Sequence, residues 1–176
     1  LLLEDSTAAP EERVRAYAIY LLTRQGVVTS SYAQNLQKRL EAQHPDGWRQ
    51  DLAGIYLAAA YKLMKQDRLA DGIIGKSRMG ERKGKAYEMY YDGLIHDAVL
   101  LYILSRHFPD QLYKLPPDAL TGMVEQIQQG SYNTLSSGYT LLAFDAYVTA
   151  TGKFAGATFT AGEQLKDGRI RNLELP

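Results

Sequence analysis

RAYAIYLLTRQ, residues 15–25, is the stretch that decides how the chain is read, because it returns later as DAVLLYILSRH, residues 97–107. The two match at Ala16 and Ala98, Tyr20 and Tyr102, Leu22 and Leu104, and Arg24 and Arg106, an offset of 82. At half that offset, 41, lies LAAAYKLMKQ, residues 57–66, which places Tyr61, Leu63 and Lys65 at the corresponding positions. A fourth step of 41 reaches Ala143, inside another apolar segment that lacks the tyrosine. A fixed period of this size marks stacked supersecondary units that bury their faces only against neighbours.

Each apolar helix is followed by a weaker amphipathic one. After the first comes SSYAQNLQKRLEA, with Ser30 or Ser31 as the expected N-cap. After the second comes the short QDRLADGIIG, and after the third PPDALTGMVEQIQQG, with Pro at its start and Gly130 past its end. The spacing predicts an all-α fold, an α/α toroid-like stack of helical hairpins with a short β tail. In the tail, Thr158, Phe159 and Thr160 favour a strand, Asp167-Gly168 signals a turn and RIRNLEL nearly alternates. The expected division is a helical-hairpin unit over 1–156 and a β excursion over 157–176.

Composition narrows the function. There are 20 basic and 20 acidic residues, so no global charge draws the chain to nucleic acid or anionic lipid. The absence of cysteine removes disulfides, thiolate metal sites and cysteine nucleophiles from these residues. No apolar run approaches the ~20 residues that span a membrane, so no membrane insertion by this segment is expected. The opening LLLEDSTAAP lacks a basic leader, and the chain reads as a piece of something longer. Thirteen tyrosines against 4 phenylalanines suggest many half-buried positions with a polar tip.

GIIGKSRMGERKGK, residues 72–85, contains GKS, but a phosphate-binding loop needs glycine where Ala70 stands and a strand before it. It reads as a solvated basic loop between hairpins. AYEMYYDGLIHDAV, residues 86–99, concentrates Glu88, Asp92, His96 and Asp97. Asp92 and His96, four apart, suit a metal on one helix face, and paired carboxylates suit a glycosidase. The structural reading is stronger: Asp92 caps a helix starting near Gly93, and Asp97 sits where the helix dipole favours an anion. His44 and His107 read as helix-end residues, and Trp48 as a packing anchor. No cofactor or metal is expected.

YNTLSSGYTLLAFDAY, residues 132–147, leads an apolar helix with Asn133, Thr134, Ser136, Ser137 and Gly138. Together with RAYAIYLLTRQG and YYDGLIHDAVLLYIL, it resembles the α/α-toroid thioester domain of the α-2-macroglobulin and complement family, nearest its bacterial, periplasmic branch. The resemblance covers roughly residues 10–152, and residue 96 is His where the family pattern has Arg. It implies a non-enzymatic part of a periplasmic protease trap, whose parent is a candidate for a lipid anchor. Its implied partners are proteases and the neighbouring β domains of the same chain. It also implies a Cys–Gln thioester in some members, for which a CxEQ motif is required; this chain has none, and Glu163-Gln164 falls in the tail. On this reading Asn133 and Thr134 cap a helix start, and Ser136, Ser137 and Gly138 let backbones approach at the centre of the toroid. Asn133, Thr134, Asp92, His96 and Asp97 are the structural or partner candidates. Two other readings stay open: a TPR-like interaction scaffold, whose period is 34 rather than 41, and an α/α-barrel carbohydrate enzyme using Glu88, Asp92 or Asp97.

Overall fold

Eight α-helices and one β-hairpin make up the described residues of the computed structural model, which are 10–80, 91–116, 118–152 and 161–173. The helices are α1 (Pro10–Arg24), α2 (Ser30–Gln43), α3 (Leu52–Leu63), α4 (Asp67–Ile74), α5 (Gly93–His107), α6 (Pro109–Leu112), α7 (Thr121–Gln128) and α8 (Thr134–Thr151). A single 3-10 turn, Trp48–Gln50, leads into α3. The fold is all-α apart from strands β1 (Ala161–Gln164) and β2 (Ile170–Leu173), an antiparallel pair with Ala161 opposite Leu173 and Gln164 opposite Ile170. Gly168 turns this hairpin with φ +81°, a conformation that favours glycine. The strand expected over 158–160 and the boundary expected at 156–157 lie outside the described residues.

The sequence period reappears as helix starts. Asp51, Asp92 and Asn133 are the N-caps of α3, α5 and α8, and they stand 41 residues apart. These helices and α1 form an arc in which α3 packs on α1 and α5, and α5 packs on α8. They run the same way. The first turn of α1 is bonded to the start of α3 through Arg13 and Asp51, and the starts of α5 and α8 are bonded through Asp92 and Asn133. Toward the other end, Tyr20 of α1 reaches His107 of α5. The second helices pack outside: α2 on α1 and α3, α4 on α3, and α6 and α7 on α5.

α3 and α5 occupy the middle of the arc, and their sequences explain why. LAGIYLAAAYKL and GLIHDAVLLYILSRH are apolar around nearly the whole helix, so they are stable only when surrounded. Leu57, Ile55, Leu100, Leu101 and Ile103 are fully buried, each contributing about 1.5–3 kcal/mol by leaving water. The outer members of the arc differ. Val14 and Leu22 on α1, and Leu141 and Leu142 on α8, remain exposed.

The three periodic tyrosines occupy the same register but different surroundings. Tyr20 and Tyr61 are buried, and Tyr102 is half-buried. Tyr61 turns outward to donate to Gln37 Oε1 at 2.6 Å, while Tyr20 points to His107. Several local expectations need correction. Neither Ser30 nor Ser31 caps α2; Thr29 holds that position without a side-chain bond, because its Oγ1 is turned to Thr23. α7 starts at Thr121, after a turn, rather than at the prolines. In the first part of the basic loop Lys76 and Arg78 are exposed, as expected of a solvated loop, but two points are anchored: Ser77 is buried and donates to Arg49 O at 3.1 Å, and Gly80 N–H donates to Asp97 Oδ2 at 2.9 Å. Arg82, Lys83, Lys85 and Glu88 lie outside the described residues.

Candidate functional site

The five candidate residues all sit at or near helix N-termini, on one end of the arc. Asp92 Oδ1 accepts the Ile95 N–H at 2.7 Å, satisfying one of the first-turn donors that a helix leaves unpaired. Asn133 does the same for α8: its Oδ1 accepts from Ser136 N–H at 2.9 Å, while Ser136 Oγ accepts from Asn133 N–H at 2.8 Å, a reciprocal capping box. Asn133 then donates from Nδ2 to Asp92 Oδ2 at 3.2 Å, so one cap holds the next. Each such cap is worth about 1 kcal/mol.

His96 and Asp97 face the other way. His96 is buried, with Nδ1 3.1 Å from Asp97 Oδ1 and Nε2 2.8 Å from the Gln50 carbonyl. Both ring nitrogens are engaged, one by a side chain and one by a backbone carbonyl. The pair therefore pins α5 to the turn before α3, and Asp97 Oδ2 holds the 77–80 segment through Gly80. Asp92 and His96 share no vacant centre, since the polar atoms of each are engaged by other side-chain and backbone groups. Among the described residues, no three His, Asp or Glu side chains gather as a metal would require. Thr134 is exposed as the first residue of α8, and its side chain is not part of the cap. Gly138 does not permit a close approach either: a Cβ added there would meet nothing within 4 Å. Of the small residues only Ser136 is fully buried.

The same end of the arc contains a residue pair that the sequence reading missed. Asp51 is fully buried; it accepts the Ala53 N–H at 3.0 Å and a forked bond from Arg13, Nε to Oδ1 at 3.0 Å and Nη2 to Oδ2 at 2.8 Å. Arg13 lies 3.9 Å above the Tyr91 ring. The signal was present, since Asp51 stands one period before Asp92. Between these helix starts opens an apolar cavity of about 550 Å³, with Tyr17, Tyr56, Ile95, Leu135 and Tyr139 on its walls. Burial pushes the Tyr56 phenol up, and the neighbouring Tyr139 and Tyr17 add to it. The lining is largely apolar and aromatic, with Glu11, Arg13 and Arg15 also on it.

At the opposite end, His107 is the last residue of α5, as expected of a helix-end residue, and its ring is held neutral. Burial, then the charges of Arg106 and Arg24, push its pKa down to about 4, and Nε2 of the neutral ring is hydrogen-bonded to the Tyr20 hydroxyl at 3.0 Å. In the unfolded chain it would take up a proton near 6.5. As pH falls from 6.5, the unfolded state binds a proton that the folded state does not, so stability is complete above that pH and is lost toward about 4. Allowing for solvent screening, the loss is roughly 2 kcal/mol. Urea midpoints measured from pH 7 to pH 5 should fall less steeply in His107→Gln than in the unmodified chain; identical slopes would show that His107 is not the group responsible.

Comparison with known proteins adds identity to this geometry. No protein-family model matches the chain, and no solved structure matches it. It is 38% identical over 141 residues to an alpha-2-macroglobulin homolog of Yersinia pestis, covering 78% of this chain. It is 40% identical over 140 residues, 77% of this chain, to an alpha-2-macroglobulin of Pasteurella multocida, and 34% over 137 residues, 78% of this chain, to one from Rickettsia conorii. The chain spans only about 7% of the length of these relatives. At this level of identity over more than three quarters of its residues, the chain belongs to the bacterial alpha-2-macroglobulin family.

Proposed function

We propose that the chain is the helical part of a periplasmic, macroglobulin-like endopeptidase inhibitor that traps proteases, and that it performs no covalent chemistry itself. The observation that carries this reading is the 34–40% identity to proteins named as alpha-2-macroglobulin or its homolog. Two features support the rest. Without cysteine these residues cannot form a Cys–Gln thioester, and Glu163 and Gln164 belong to β1. The apolar side chains exposed on α1 and α8 suit an arc that continues into further hairpins and closes as a toroid. The β-hairpin then leads toward a neighbouring β domain, and the helical unit ends near residue 156.

A trap encloses a protease without blocking its active site. The intact protein, mixed with an endopeptidase, should therefore suppress cleavage of a large protein substrate while sparing a small chromogenic peptide. Equal suppression of both, or of neither, would contradict trapping. Methylamine, which attacks thioesters, should leave the mass of this segment unchanged, and a gain matching amide formation would overturn the non-covalent assignment. Release on osmotic shock tests the periplasmic location; retention with cytoplasmic markers would refute it.

A further inference from the structure

Tyr20, Arg24, Tyr102, Arg106 and His107 line a cavity of about 360 Å³ where α1 and α5 end. Arg24 Nη1 donates to the Tyr102 hydroxyl at 3.4 Å, and the Arg106 guanidinium lies 5.8 Å from the centre of the Tyr102 ring. Two cations thus flank one tyrosine, and no acidic side chain lines the cavity. Several cations elsewhere meet carboxylates. Arg13 pairs with Asp51, Arg15 and Arg39 with Glu12, Arg49 with Glu41, and Lys62 with Asp67. Among the described residues, no carboxylate pairs with Arg24 or Arg106.

The helix ends supply part of the missing negative charge. Each C-terminus is equivalent to about −0.5 of an elementary charge. Against two guanidiniums, the ends of α1 and α5 leave a surplus of about one positive charge. One carboxylate would neutralise that surplus, whereas a phosphate dianion would exceed it beside two sets of helix-end carbonyls. Guanidinium groups also match a carboxylate in shape, with paired N–H donors facing its two oxygens.

We propose that this cavity binds a carboxylate, held between Arg24 and Arg106. The inference does not depend on the trapping function. The depressed basicity of His107, caused by burial and then by Arg106 and Arg24, supports an uncompensated positive field at this place. The carboxylate can come from a small free acid or from an acidic peptide side chain, and the test separates the two.

Glutarate, a blocked hexaglutamate peptide and inorganic phosphate would each be titrated into the 176-residue chain at pH 7 and constant ionic strength, following the His107 and Tyr102 resonances by NMR. Saturable shifts with the carboxylate ligands are expected. Tighter binding of the peptide than of glutarate assigns the site to a polypeptide, and the reverse assigns it to a free acid. Arg24→Gln and Arg106→Gln should each weaken binding by roughly tenfold or more, the loss of a charge-assisted bond. Both side chains are exposed, and an unchanged thermal midpoint would verify that the variants remain folded. Absence of saturation, tighter binding of phosphate than of either carboxylate, or equal binding by the folded double variant would overturn the proposal.

Discussion

Replacing Asp51 with alanine is expected to cost about 4 kcal/mol of folding stability, because it breaks a buried ion pair from one side. Asp51 has no exposed surface, and its carboxylate serves both the first turn of α3 and the guanidinium of Arg13 in α1. The cap accounts for about 1 kcal/mol of the loss. The remainder comes from taking the anion away from a cation that is itself mostly buried, with a side-chain exposure of 13%. Asp51→Asn keeps an acceptor for Ala53 but loses the charge, so it should destabilise less than Asp51→Ala. Urea unfolding of Arg13→Ala, Asp51→Ala and the double variant provides the check. The two single effects should sum to clearly more than the double effect, as expected for residues in direct contact. Additive effects would mean that the pair does not join α1 to α3.

The second large effect is expected at Gly54. A Cβ there would lie 2.4 Å from Trp48 O, 2.8 Å from Arg49 Cα and 2.9 Å from Arg49 O. All three are backbone atoms, so no side-chain rotation relieves the clash. Alanine normally gains about 1 kcal/mol over glycine inside a helix. Here the clash outweighs that gain: separating α3 from the turn that carries the buried Trp48 costs several times as much. A net loss of about 3 kcal/mol would lower the thermal midpoint by roughly 6–12 °C for a domain of this size. Gly138→Ala is the control, because α8 leaves open space there; it should be neutral or stabilising by up to about 1 kcal/mol. Equal midpoints for the two variants would mean that α3 and the Trp48 turn can move apart at little cost.

Most of the secondary structure was legible because its causes are local. Apolar spacing marks a helix within a few turns, and the cap of α5 depends only on Asp92 and the N–H three residues later. The 41-residue period was visible through Tyr20, Tyr61 and Tyr102 and is repeated in the caps. The Asp167-Gly168 turn and the hairpin around it were readable for the same reason. Partner choice was not readable. The roles of Thr134 and Gly138 were misassigned because side-chain direction depends on what packs against α8, and here open space faces Gly138.

The sequence by itself determined that this is a chain of helical hairpins, a period apart, without cysteine chemistry and resembling the macroglobulin family. These properties rest on composition and on interactions within one or two helical turns. Only the tertiary structure decided which charges meet. Arg13 finds Asp51 across 38 residues, and Tyr20 finds His107 across 87. It also decided that Gly54 must be glycine, and that Arg24 and Arg106 share one cavity without a carboxylate. The physical reason is the same in each case. Distance in space is set by how the helices pack, and two positions related by one repeat can face different neighbours, as Tyr20 and Tyr61 do.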